Sequence, residues 1–220
     1  MVTFENVTKY FDKQVILRNI TFSVEKGEMA FLTGPTGAGK STLLKLMYRA
    51  ERPDEGDITV GNFHLASMKM SEVPRLRRTI GVVFQDFKLI DNLTIFDNVA
   101  LALRIRGMNE VEIKTTVFET LKRVYLRHLA DGYPPRVSGG EQQRTVIARA
   151  IVARPQYLFA DEPTGNLDPN TALDIMKLFQ EINIQGTTVI IATHNRELYR
   201  YSGKRVIRLT GGAIAGEEIG

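Results

Sequence analysis

The sequence predicts an α/β domain with a mostly parallel sheet, an antiparallel β edge region and a helical subdomain. Short apolar runs at Glu28–Thr33, Ile80–Phe84, Tyr157–Asp161 and Thr187–Thr193 read as buried strands, with helical patterns between them. Val2–Val7 and Ile16–Val24 instead alternate apolar and polar side chains, as half-buried antiparallel strands do. From Thr94 to about Leu126 the apolar residues recur every three or four positions, which reads as a helical layer inserted between strands.

The 220 residues suit a single domain, 1–220, with an ample core. Cysteine is absent, which excludes disulfides and thiolate metal sites and is compatible with a reducing compartment. The start of the chain carries no basic segment followed by an apolar core, and no apolar run reaches membrane-spanning length, so the expectation is a cytoplasmic, soluble chain. The +4 formal charge is a near balance of 29 basic and 25 acidic residues, which reads as mixed surface charge, with a docking face for nucleic acid or anionic lipid as the alternative.

The strand at Glu28–Thr33 runs into Gly34-Pro35-Thr36-Gly37-Ala38-Gly39-Lys40-Ser41-Thr42, which fits G-x-x-x-x-G-K-[ST] at every fixed position. Glycines let successive N–H groups turn inward around a polyanion. Lys40 adds charge near the terminal phosphates of a nucleotide, and Ser41 offers a hydroxyl to Mg²⁺. Leu43, Leu44, Leu46 and Met47 continue as a helix whose positive end points at the same phosphates.

Upstream, Lys9-Tyr10-Phe11-Asp12-Lys13 reads as a polar turn with two aromatics, suited either to stacking on adenine or to local packing. Downstream, Arg52–Asp57 is a turn cluster before a short strand at Ile58–Val60, and Ser71 starts a short basic helix through Arg75, Arg77 and Arg78. Gln85 ends its strand where open α/β sheets bind ligands, placed to coordinate Mg²⁺ or orient water. Asn109 with Glu112 resembles a helix cap and its partner, and Tyr133-Pro134-Pro135 breaks the helical run.

Ser138-Gly139-Gly140-Glu141 then caps another helix, as a second anion site or an ordinary turn. The strand at Tyr157 ends in Asp161 and Glu162. Asp161 is placed to hold Mg²⁺ and Glu162 to polarise an attacking water, unless both are merely solvated acids opening a loop. Adjacent carboxylates at a buried strand end need a cation or a shared proton. A compact turn follows, with Asn170 expected to cap the next helix. Thr187–Thr193 ends at His194, so three strands should converge on one edge, and the remainder from Lys204 closes as a hairpin.

With these elements in order, the chain resembles the ABC ATPase family over essentially its whole length. The phosphate loop matches at Gly34 to Thr42, the Q-loop at Gln85, the signature at Ser138-Gly139-Gly140-Glu141-Gln142, Walker B through Asp161 with Glu162, the D-loop at Asn166-Leu167-Asp168 and the switch histidine at His194. Val137 and Glu141 replace the commoner leucine and glutamine, a variation seen in the subgroup whose Walker B continues Glu-Pro-Thr-Gly-Asn-Leu-Asp. The resemblance implies Mg²⁺-dependent ATP hydrolysis, with Lys40, Glu162 and His194 catalytic, Phe11 on the adenine, and Ser41, Gln85 and Asp161 around the metal. It further implies a head-to-tail homodimer in which Ser138, Gly139, Gly140 and Glu141 reach the ATP of the partner chain. A helical subdomain, about 86–154, would couple to a polytopic membrane protein at the inner face of the cell membrane, with no nucleic acid involved. The segments Gly27–Gly34, Phe84-Gln85-Asp86, Asp97–Ala100 and Ser138–Arg144 look most like the cell-division branch, which implies relay of ATP turnover to cell-wall hydrolases. Export of lipoproteins or macrolides is the alternative.

Overall fold

The computed structural model describes residues 1–220. β1 (Val2–Phe11) and β2 (Gln14–Val24) form an antiparallel hairpin closed by Asp12 and Lys13, both left-handed at φ 46° and 68°. Two such residues suffice to reverse a twisted pair of strands. The expected five-residue turn at Lys9–Lys13 is therefore shorter, and β1 runs on through Phe11. β3 (Met29–Thr33) leads into α1 (Lys40–Met47), followed by β4 (Glu55–Val60) and the short β5 (Phe63–His64). A single 3-10 turn at Met70–Glu72 precedes α2 (Val73–Arg77), so the basic helix starts two residues after the expected Ser71.

After β6 (Ile80–Val83) come α3 (Ile95–Arg104), α4 (Glu110–Arg123) and α5 (Gly139–Ile151). β7 (Tyr157–Asp161), α6 (Pro169–Ile184), β8 (Thr188–Ala192), β9 (Arg205–Thr210) and β10 (Ala213–Ile219) complete the chain. Side-chain oxygens of Thr94, Asn109, Ser138 and Asp168 cap α3 to α6. Each such cap is worth about 1 kcal/mol. Asp168, not Asn170, caps α6: Pro169 occupies the first helical position, and Asp168 accepts from the N–H groups of Asn170 and Thr171. No helix is long and apolar enough to cross a membrane.

Two sheets result. The main one has the order β10-β9-β3-β8-β7-β6, parallel from β6 across to β9, with β10 antiparallel at its edge. The alternating N-terminal strands build a sheet of their own, β2-β1-β4-β5, because β4 pairs antiparallel with β1. The main sheet is buried on both faces, as parallel sheets are. Phe31, Leu158 and Val189 face Val99, Leu121, Ile147 and Phe179 of the helices. On the other face Leu32, Phe159 and Ile190 share a core with Leu43 and Met47 of α1 and with Phe4 and Ile58 of the second sheet. α1 is thus held between the two sheets.

The phosphate loop is walled by the end of the chain. A Cβ at Gly34 (φ 145°) would lie 2.1 Å from the carbonyl oxygen of Leu209 in β9. That approach requires glycine. Gly34→Ala is expected to cost about 3 kcal/mol, lowering the melting temperature by roughly 6–12 °C; a melt within 2 °C of wild type by circular dichroism would contradict the packing.

Candidate active site

Four parallel strands end on one edge, where open α/β sheets bind ligands. Leu32, Ala192 and Asp161 stand abreast across β3, β8 and β7, and Val83 of β6 stands beside Ala160. Gly34, His194, Glu162 and Gln85 therefore leave the sheet at neighbouring points.

Pro35, Thr36 and Gly37 form the exposed crest of the loop, while Ala38, Gly39 and Lys40 are buried. Gly39 (φ 102°) is the N-cap of α1 and has no side chain to cap it, so the first-turn N–H groups of Lys40, Ser41 and Thr42 are left for an anion. The Lys40 ammonium donates to the carbonyls of Gly34 (2.9 Å) and Pro35 (3.2 Å) and lies 3.8 Å from Glu162 Oε1. The loop and the acid pair, 121 residues apart between Lys40 and Asp161, therefore meet.

Asp161 Oδ1 is buried without a hydrogen-bond partner. Burial pushes its carboxyl above the usual carboxylate range; the Ser41 hydroxyl opposes this, and the adjacent Glu162 charge adds to it. A carboxyl with a raised folded pKa favours its neutral form. The stability this gives is complete below the ordinary carboxylate value and is lost as pH rises through the raised one. Asp161→Asn is therefore expected to melt higher than wild type at pH 8 in chelator without nucleotide, and by a smaller margin at pH 4. A lower melt at pH 8 would contradict this electrostatic account.

Glu162 follows at φ 45°, a left-handed non-glycine conformation of the kind found where side chains are aimed at a site. Its amide donates to the Ala192 carbonyl (2.9 Å), tying it to β8. Its Oε1 accepts from the His194 amide (3.0 Å) and lies 2.8 Å from His194 Nδ1. Facing a carboxylate, Nδ1 carries a proton, which leaves Nε2 outward. Oε2 has no hydrogen bond within the chain.

Lys40, Ser41, Asp161, Glu162 and His194 are thus brought together. Gln85 lies exposed two residues past β6, on the same edge, without a side-chain hydrogen bond to this group. Phe11 stands at the end of the β1–β2 hairpin, 40% exposed. Ser138 and Glu141 form a reciprocal cap: the Ser138 amide and hydroxyl both reach Glu141 Oε2 at 2.7 Å, and these bonds hold the Glu141 carboxyl below its ordinary pKa. Gly139 and Gly140 pack on Leu167 and Thr171, beside Asp168; a Cβ at Gly140 would come within 2.8 Å of Thr171 Cγ2. No hydrogen bond joins Ser138 to Gly140 to the Lys40–Glu162 group.

One residue the sequence reading passed over is Arg149. Its guanidinium donates to the carbonyls of Phe87 (2.8 Å) and Lys88 (2.6 Å), both left-handed residues just after Gln85. The helix that begins at Ser138 therefore also grips the loop after Gln85. A charged position beside Ala148 and Ala150 in an otherwise apolar helix face was the available signal.

Fold and site define a phosphate-loop cassette of the nucleotide-hydrolysing α/β class. The family model described as ABC transporter matches residues 17–165. The chain belongs to the ABC transporter family, as an ATPase subunit. Curated relatives include the cell division ATP-binding protein FtsE of Bacillus subtilis (strain 168), 48% identical over 99% of this chain and 96% of that protein. The protein of the same name in Escherichia coli (strain K12) is 46% identical over 98% of each. Among solved structures, the dimeric bacterial ABC transporter cassette MJ0796 has a TM-score of 0.90 at 37% identity, covering 100% of this chain and 98% of that one. A dimeric post-hydrolysis state of MJ0796 bound to ADP and Pi also superposes at 0.90, with 36% identity and the same coverage.

Proposed function

We propose that this chain is the FtsE-like subunit of a bacterial cell-division complex, a head-to-tail homodimer that pairs with an FtsX-like polytopic membrane protein and relays ATP turnover to cell-wall hydrolases. The observation that carries the ATPase chemistry is the convergence of Lys40, Asp161, Glu162 and His194 on one strand edge. The division assignment rests on likeness along the whole chain to relatives of that name.

In this reading the N–H groups of Gly37 to Thr42 and the Lys40 ammonium bind the phosphates, and Phe11 stacks on the adenine. Ser41, the unpartnered Asp161 Oδ1 and Gln85 suit a hard divalent cation. No cluster of three or more acidic or imidazole side chains could hold a metal alone, so phosphate oxygens would complete the shell, as Mg²⁺ prefers. Bound there, Mg²⁺ would neutralise phosphate charge. Glu162 Oε2 accepts the proton of the attacking water while His194 fixes Oε1 and turns Nε2 toward the γ-phosphate.

Ser138, Gly139 and Gly140 begin a second anion-binding helix, and no hydrogen bond joins them to this chain's own Lys40–Glu162 group. The helix completes the site of a second copy, and Asp168 stands beside it at the same interface. Helices of the 86–154 subdomain and the Q-loop receive the membrane partner, which holds the chain at the cytoplasmic face of the membrane. A groove of about 740 Å³ between Tyr48, Pro74, Phe84, Ile105 and Arg149 supports this. Affinity purification of the chain from its own membranes with ATP is expected to bring down one such protein. Recovery of a lipoprotein- or macrolide-export permease instead would select the export reading.

A further inference from the structure

We propose that Lys9 is a positioning residue for nucleotide-base recognition, mounting the Phe11 ring from behind so that its outer face is presented to the base. The proposal rests on the nucleotide reading above and adds to it the device that fixes the base platform. Lys9 and Phe11 are two residues apart on β1 and so share one face of the strand. The Lys9 ammonium lies 5.2 Å from the centroid of the Phe11 ring, and Lys9 is only 7% exposed.

A buried ammonium needs acidic partners. The turn before β4 supplies two: Asp54 Oδ2 at 3.3 Å and Glu51 Oε2 at 3.9 Å. Asp54 also accepts from the Tyr10 amide (2.7 Å), and its own amide donates to the Thr8 carbonyl (3.0 Å). The end of β1 is therefore tied to this turn by three consecutive residues. Leu17, opposite Lys9 in the hairpin register, reaches within 2.6 Å of where a Cβ of Gly39 would stand. The mount is thus seated on the cap of the phosphate-binding helix.

Two physical effects follow. A phenylalanine at a hairpin tip otherwise moves among rotamers, and ordering it on binding costs affinity; seated on the ammonium, it is ordered beforehand. A cation behind the ring also draws π density inward and leaves the outer face less negative, which suits stacking by an electron-rich purine. Both effects act on the base and neither acts on the phosphates.

The test is displacement of a ribose-labelled fluorescent ATP analogue by ATP and, separately, by inorganic tripolyphosphate, for wild type, Lys9→Met, Lys9→Arg, Phe11→Ala and Lys9→Met/Phe11→Ala. Lys9→Met keeps the stem that fills the space and removes the charge. It is expected to weaken ATP by about three- to tenfold while leaving tripolyphosphate unchanged. Lys9→Arg is expected to restore most of the loss. The double variant is expected to be no worse than Phe11→Ala, because Lys9 acts through the ring. Equal weakening of ATP and tripolyphosphate, losses that add in the double variant, or unchanged ATP affinity in Lys9→Met would each overturn the proposal. Wild-type ATP affinity in Phe11→Ala would instead remove the base platform itself, a failure of the underlying reading. Should Lys9→Met not fold, Asp54→Asn, which frees the ammonium from its mount, is expected to show the same selective loss, and an equal effect on both competitors would overturn the proposal.

Discussion

Glu162→Gln is expected to lower ATP turnover by about two to four orders of magnitude, measured as phosphate release. It is also expected to trap a nucleotide-bound dimer, visible as a doubling of mass by light scattering in ATP and not in ADP. The geometry separates the two outcomes. Oε1 is occupied by the His194 amide and imidazole and lies near Lys40, whereas Oε2 is free. A glutamine keeps the first set of contacts through its carbonyl and replaces the basic oxygen by an amide nitrogen. Binding and closure should therefore survive while proton acceptance is lost. Turnover within threefold of wild type would remove Glu162 from the role of base.

Lys40→Ala is expected to weaken ATP binding by at least about a hundredfold, the loss of a charge-assisted contact to phosphate together with the ordering of the loop. The ammonium binds two carbonyls of its own loop and faces a carboxylate, so it holds the crest over the helix as well as supplying charge. Lys40→Arg keeps the charge but not the compact fit between Gly34, Pro35 and Glu162, and should recover little. Near-normal affinity in Lys40→Ala, by titration with the fluorescent analogue, would contradict the loop's assignment.

The parts of this molecule legible in its sequence are those whose chemistry is local. The phosphate loop is read from nine adjacent residues because backbone conformation, charge and helix start are all written there. Asp161 at the end of β7, and Gln85 and His194 two residues past β6 and β8, were legible because an apolar run that stops at a polar residue marks an edge. What remained hidden depends on pairing between distant segments. Alternation at Val2–Val7 shows a half-buried strand but not its partner, and only the β1–β4 register reveals a separate sheet. The β9–β10 hairpin was visible as a hairpin, yet nothing in Arg205–Thr210 says that β9 joins β3 in parallel. The cap at Asp168 was a missed local signal, since proline in the next position favours exactly one register for the helix start. Lys9 was legible only as part of a polar turn and Arg149 not at all, because the partners that give them their roles, Asp54 and Glu51 for one and the Phe87 and Lys88 carbonyls for the other, lie far away in the sequence.

The wall behind the phosphate loop has a temporal side. Gly34 rests on Leu209, and Gly212 lies under Ile16 with the Arg18 amide bonded to its carbonyl, so the cradle is closed by a segment made 175 residues after Gly34. During synthesis the nucleotide-binding motif leaves the ribosome long before its backing does. A growing chain thus carries the motif before the Leu209 backbone is in place behind Gly34.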